Sequence, residues 1–229
     1  MLPTDLLSAE AQALEAVAAA LAADAAGRWS VEWRFEGLRV LAPSLRLLAS
    51  LLEQNHSVML VFSDAGGAAL ARRDAPDLAD SIADFRALQQ RQQQGPSEGV
   101  LLVVAPSQAD YDAFEALCQG HRGAVLMLNG SLEDAAVGIG SVARQRRKGF
   151  LALWQAAYAL IPLEGSALRR AFPAAWELYR QDPDGYRLAA SFELRPDAET
   201  QAEALGNTVG AGVGGTLRAV DSLLEGLRN

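Results

Sequence analysis

The sequence predicts an α/β fold: a Rossmann-like three-layer sandwich, with parallel strands in the N-terminal half and an antiparallel meander in the C-terminal half. Three observations predict it. Val58–Phe62, Val100–Val104 and Ala124–Leu128 are short, unalternating apolar runs, the pattern of strands buried on both faces. Segments with helical spacing lie between them. Beyond the middle of the chain, apolar stretches follow one another closely with turn residues between, as in a meander.

The elements follow in order. Thr4 or Asp5 can cap a first helix, along which Leu7, Ala11, Leu14, Val17, Ala18 and Leu21 form one apolar stripe. Residues 29–35, rich in aromatics, read as a strand. Pro43 and Ser44 open a second helix carrying Leu45, Leu47, Leu48, Leu51 and Leu52. Residues 56–62 are a strand and residues 65–73 a helix. A further helix is expected over residues 78–88, followed by a polar loop from Gln89 to Ser97. After the strand at 100–104, Ala105-Pro106-Ser107 opens a helix that runs to about Gln119, with Tyr111, Phe114, Leu117 and Cys118 inward. The strand at 124–128 precedes a helix over residues 139–153. Strand-like pieces then cover residues 157–163, 170–172, 176–180 and 186–195, with a turn at Asp182-Pro183-Asp184-Gly185. This organisation reads as one α/β domain over residues 1–196 and a Gly-containing tail over residues 197–229, ending in an amphipathic helix with Leu217, Val220, Leu223, Leu224 and Leu227.

Composition narrows the function classes. The 229 residues carry a net charge of −8, which disfavours nucleic acid as a partner. A single cysteine, Cys118, excludes an intrachain disulfide and suits a reducing compartment. With only His56 and His121 beside it, no zinc-spaced cluster can be assembled, and no metal site or cofactor is expected. The N-terminus lacks a signal-peptide pattern, and no apolar run approaches the roughly 20 residues that span a bilayer. The expected setting is cytoplasmic.

Four segments are candidate sites. Asp64-Ala65-Gly66-Gly67 follows a strand and opens a helix, where unpaired amides can hold a phosphate. Equally, Asp64 can be the N-cap, its carboxylate occupying those amides, with Gly66 and Gly67 permitting close packing. Asn129 and Arg144 join Asp64, Gly66 and Gly67 as ligand candidates, because they lie at or beyond strand C-terminal ends. Arg144, Arg147 and Lys148 share a helical face that suits an acidic partner or a solvated helix end. Arg170, Phe172 and Trp176 combine guanidinium and aromatic groups as protein-contact hot spots do, or form a strand–turn corner with Trp176 in the core. Gly210-Ala211-Gly212-Val213-Gly214-Gly215 matches a dinucleotide fingerprint literally, but the preceding residues read as helix and too little chain follows. No nucleophile–base pair is recognisable, and Glu133 and Asp134, as neighbours, point apart.

The order and spacing of these residues resemble a family. The marks are Asp64-Ala65-Gly66 with Ala69 to Asp74, Val103 to Ser107, Leu128-Asn129 with Leu132-Glu133-Asp134, Gly138-Ile139-Gly140 with Ala143-Arg144-Gln145, Arg147 and Phe150, Tyr158-Ala159-Leu160 with Pro162-Leu163, and Arg170 with Phe172-Pro173 and Trp176. The chain departs from the pattern at Ala75, Gly130 and Ser141. The family it resembles is the cyanobacterial and plastid domain-of-unknown-function family nineteen-ninety-five, which includes low-photosystem-II-accumulation proteins and a segment fused to a chloroplast adenylate kinase. The resemblance implies a non-enzymatic accessory role in photosynthesis, assisting photosystem II or another thylakoid complex by protein–protein contact at the thylakoid surface. The alternative is an α/β protein that binds a nucleotide or phosphorylated metabolite.

Overall fold

The computed structural model describes residues 1–132 and 149–209. The expected helix over 139–153 up to its last turn, Glu133 and Asp134, the basic group Arg144, Arg147 and Lys148, and the tail from Gly210 lie outside the described residues. Among the described residues, nine strands form one mixed sheet in the order β3-β2-β4-β5-β1-β6-β7-β8-β9, and the architecture is α/β, with parallel pairing in the N-terminal half and antiparallel pairing in the C-terminal half. The chain divides into two compact units, Met1–Ile161 with Arg170–Ala174, and Pro162–Arg169 with the chain from Ala175 onward.

In the first unit the strands are β1 (Arg28–Trp33), β2 (Val58–Phe62), β3 (Ile82–Asp84), β4 (Val100–Val104), β5 (Ala124–Leu128) and most of β6 (Trp154–Leu163). Alternate residues serve opposite faces. Val58, Leu60 and Phe62 of β2 and Val100, Leu102 and Val104 of β4 enter one core cluster; Val61, Leu101 and Val103 enter another. Both faces are therefore buried, which is why these strands read as continuous apolar runs. The first cluster is completed by α1 (Leu6–Ala23), α2 (Leu41–Glu53) and α3 (Ala65–Asp74); the second by α4 (Phe85–Gln92) and α5 (Tyr111–Gln119). This is the three-layer arrangement that the alternation of strand and helix implies.

Helix starts follow local chemistry. Asp5 caps α1, its Oδ1 accepting from Ser8 N at 2.7 Å. The buried row Ala9, Ala13, Ala16 and Ala20 seats α1 in the core. α1 is long and apolar enough, at a mean hydropathy of 1.4 over 18 residues, to pass a membrane-span test by length and composition, but that row is buried in the protein core. α2 begins at Leu41, two residues before the expected start. Pro43 fits inside its first turn, where its missing N–H has no intrahelical partner to lose.

The largest departure from expectation is at residues 76–92. The single helix expected over 78–88 is instead a 3₁₀ turn (Pro76–Ser81), the three-residue strand β3, and α4. Ile82 and Ala83 extend the sheet beside Leu60 and Val61, and Asp84 then caps α4 by accepting from Ala87 N at 2.8 Å. Pairing with β2 overrides helical spacing in a strand too short to show alternation.

In the second unit, most of β7 (Ser166–Ala171), β8 (Trp176–Asp182) and β9 (Gly185–Phe192) form the predicted meander. Pro183 and Asp184 make the two-residue connection, and Gly185 has φ of 130°, a region side chains disfavour. Trp176 and Leu178 are buried. α6 (Ala198–Val209) follows, so the Gly-rich fingerprint is preceded by a helix rather than by the strand a dinucleotide site requires.

Candidate functional site

Chain direction in the sheet creates a crevice. From β2 the chain moves to β3 at one edge, with α3 in the first cluster; from β4 it moves the other way to β5, with α5 in the second cluster. Adjacent parallel strands whose connections diverge onto opposite faces leave a cleft at their C-terminal ends, the usual ligand position in open α/β sheets. Asp64, Gly66 and Gly67 stand on the β2 side and Ala105, Pro106 and Ser107 on the β4 side.

The Gly66, Gly67 and Ser107 donors in this crevice are engaged by the protein itself. Asp64 is extended (φ −128°, ψ 158°), and its Oδ1 accepts from Gly66 N at 2.7 Å and Gly67 N at 3.0 Å. The amides that would hold a phosphate carry a carboxylate instead. A Cβ on Gly67 would lie 3.0 Å from the Phe62 ring, so this glycine serves close strand–helix packing. Across the cleft, Asp110 Oδ2 accepts from Ser107 N at 2.8 Å and Ser107 Oγ at 2.7 Å.

Asn129 ends β5 with φ of 50°. Its amide clamps the backbone of β1: Oδ1 accepts from Trp33 N at 2.7 Å, and Nδ2 donates to Trp33 O at 2.9 Å. The side chain thereby adds a rung to the β1–β5 ladder, and Arg34 secures the same corner by donating to Gly130 O at 2.7 Å. β5 is two strands from β2, roughly 10 Å at sheet spacing, and the Asn129 amide is committed to Trp33. Asp64, Gly66 and Gly67 are thus together, Asn129 is apart from them, and Arg144 lies outside the described residues.

Phe172, a contact candidate, packs edge-on against Trp29 with centroids 5.0 Å apart, and its N–H donates to Ala157 O at 2.8 Å. The Arg170 guanidinium bonds the Ala174 carbonyl and lies 5.8 Å from the Phe172 ring centroid. Trp176, in the second unit, is 5% exposed and is covered by Arg195 at 5.5 Å. Trp176 is an interior side chain, and Phe172 packs half-buried against the core.

At the N-terminal ends of the strands, Arg28 donates to five backbone carbonyls, those of Ala26, Gly27, Cys118, His121 and Gly123. His121 is buried; its Nε2 donates to Gly99 O at 3.2 Å, so Nδ1 accepts from Ser97 Oγ at 2.8 Å. Burial, followed by the nearby Arg28 charge, holds its pKa below the ordinary value. Burial pushes the Cys118 thiol up to about 12, which makes it a packing group rather than a nucleophile. In the second unit, burial raises Glu177, but hydrogen bonds from Arg169 (2.6 Å) and Tyr179 (2.9 Å) outweigh it and hold its carboxyl below the usual range.

An open apolar groove lies between α2 and α3, with a volume near 830 Å³. Leu41, Leu45 and Ala49 line one wall, Leu70 the other, and Arg39 and Arg73 stand at the groove. Leu70 is 40% exposed. Sequence reading passed over this surface. The available signal was a second apolar row on α2, at 41, 45 and 49, beside the buried row at 44, 47, 48 and 51.

No curated protein matches this chain. Residues 3–203 match the family described as "Domain of unknown function (DUF1995)". That match covers most of the chain, α1 through the first part of α6, and the chain belongs to this family.

Proposed function

We propose that this chain is a non-enzymatic accessory protein that acts by protein–protein contact, assisting photosystem II or another thylakoid complex from the membrane surface. The observation that carries the contact reading is the α2/α3 groove, whose apolar walls include an exposed leucine. An apolar groove between two helices is a surface that the apolar face of a partner helix can cover. The photosynthetic setting rests on the residue resemblance described above. Affinity purification of a tagged copy from photosynthetic membranes tests the reading. Subunits of a photosystem or of the membrane-insertion machinery are the expected co-purifying proteins; recovery of neither class would overturn it.

A second reading is favoured by the crevice between β2 and β4: binding of a nucleotide or phosphorylated metabolite near Gly66. It requires the ligand to displace the Asp64 carboxylate or to bind beside it. A ligand at 100 times its Kd stabilises a protein by about 2.7 kcal/mol. A thermal-shift screen with millimolar nucleotides and sugar phosphates would detect such a gain, and an unchanged Tm throughout removes this reading.

A further inference from the structure

We propose that the α2/α3 groove docks an amphipathic helix with an acidic flank, supplied by a partner protein. This rests on the protein-contact reading above and names the chemistry of the partner. Leu41, Leu45 and Ala49 follow one another at four-residue spacing and form a single ridge about 12 Å long on α2. Such a ridge interdigitates with the i, i+3/i+4, i+7 anchors of an incoming helix, and Leu70 supplies the opposite wall.

Charge selects the flank. Arg39 is exposed and makes no hydrogen bond or ion pair among the described residues. The Arg73 side chain is 73% exposed and, among the described residues, pairs with its neighbour Asp74 at 2.9 Å, a carboxylate that also lines the groove and is 40% exposed. Arg46, also on the groove, keeps 47% of its side chain exposed while its partner Glu10 is turned inward at 12%. The charge lining the groove is basic in balance, Arg39, Arg46 and Arg73 against Asp74, on a chain of net charge −8. An acidic helix meets that basic rim directly.

A photo-crosslinking amino acid placed at position 70 of the full-length chain, in cells that make the protein, reads the occupant directly. Position 42, also exposed in the groove, serves as an independent second site. The expected crosslink is to another protein, within a segment of net negative charge whose apolar residues recur at helical spacing. Arg39→Glu combined with Arg73→Glu should lower its yield about tenfold. Crosslinks to lipid, to a second copy, to residues 210–229 of the same chain, or to a basic or non-helical segment each overturn the proposal, as do no crosslink at either position and a yield indifferent to charge reversal. Photosystem subunits that co-purify without an acidic-helix crosslink leave the contact reading standing and remove this one. A crosslinked acidic helix from a protein outside the photosynthetic complexes does the reverse, keeping the groove assignment and removing the photosystem setting.

Discussion

Asp64 decides between two uses of the same backbone. Its Oδ1 already satisfies Gly66 N and Gly67 N, so Asp64→Ala should cost about 1 kcal/mol in urea denaturation, while Asp64→Asn, an equally good cap, should cost a few tenths. A loss for Asn as large as for Ala would mean that the carboxylate does more than cap. The capping alternative was legible in the sequence, because an Asp before a Gly pair at a strand–helix junction has few other uses. The role of Asn129 was not legible: its partner Trp33 is 96 residues away, and no local pattern announces a side chain that mimics a strand. Removing that amide leaves the Trp33 N–H and C=O unpaired and places a Cβ residue without local compensation at φ of 50°, so Asn129→Ala should destabilise by about 2–4 kcal/mol. Asn129→Gly should cost less, because glycine tolerates that φ. His121 gives a pH dependence. Its folded pKa lies below its ordinary value near 6.5, so as pH falls the unfolded chain takes up the proton first. The stability that His121 contributes is complete above about pH 6.5 and is lost as pH falls from there through the folded pKa. Chemical denaturation between pH 7.5 and pH 5 should show a decline that His121→Gln flattens; equal slopes in the two proteins would contradict it.

At the scale of elements, α2 carries two apolar rows with different duties. Leu48, with no exposed surface, is core, and Leu48→Ala should lower stability by about 2–5 kcal/mol. Leu70 on α3 stands in the groove, and Leu70→Asp should change stability by no more than about 0.5 kcal/mol while abolishing partner capture. Comparing urea midpoints with pull-down yields for the two variants separates the roles, and a strongly destabilised Leu70→Asp would show that its side chain is structural. The strands β2, β4 and β5 were readable because each is a full run of five apolar residues between helical segments. β3 was not, since Ile82 and Ala83 are paired by a neighbour distant in sequence and their own spacing continues a helix. The groove escaped for a related reason: Leu45 reads as one more core leucine until the packing of α2 leaves its row half-buried along the groove.

For the molecule as a whole, alternation of strands and helices followed by close-spaced strands was enough to obtain a sheet parallel in one half and antiparallel in the other. Strand order could not be read, because it depends on which long-range pairs form; yet that order creates the β2/β4 crevice and sets α2 beside α3. The crevice has the topology of a ligand site with its Gly66, Gly67 and Ser107 amides internally bonded, whereas the groove has half-buried apolar walls, an exposed Leu70 and, among the described residues, an arginine without an ion pair, Arg39. This contrast favours contact with a protein over binding of a small ligand. Quantitative mass spectrometry of tagged wild-type and Leu70→Asp chains purified in parallel from photosynthetic membranes tests it most directly. Photosystem or insertion-machinery subunits are expected with the wild type and should be lost from the variant; wild-type preparations holding neither, or a variant that retains them undiminished, would overturn the protein-contact function.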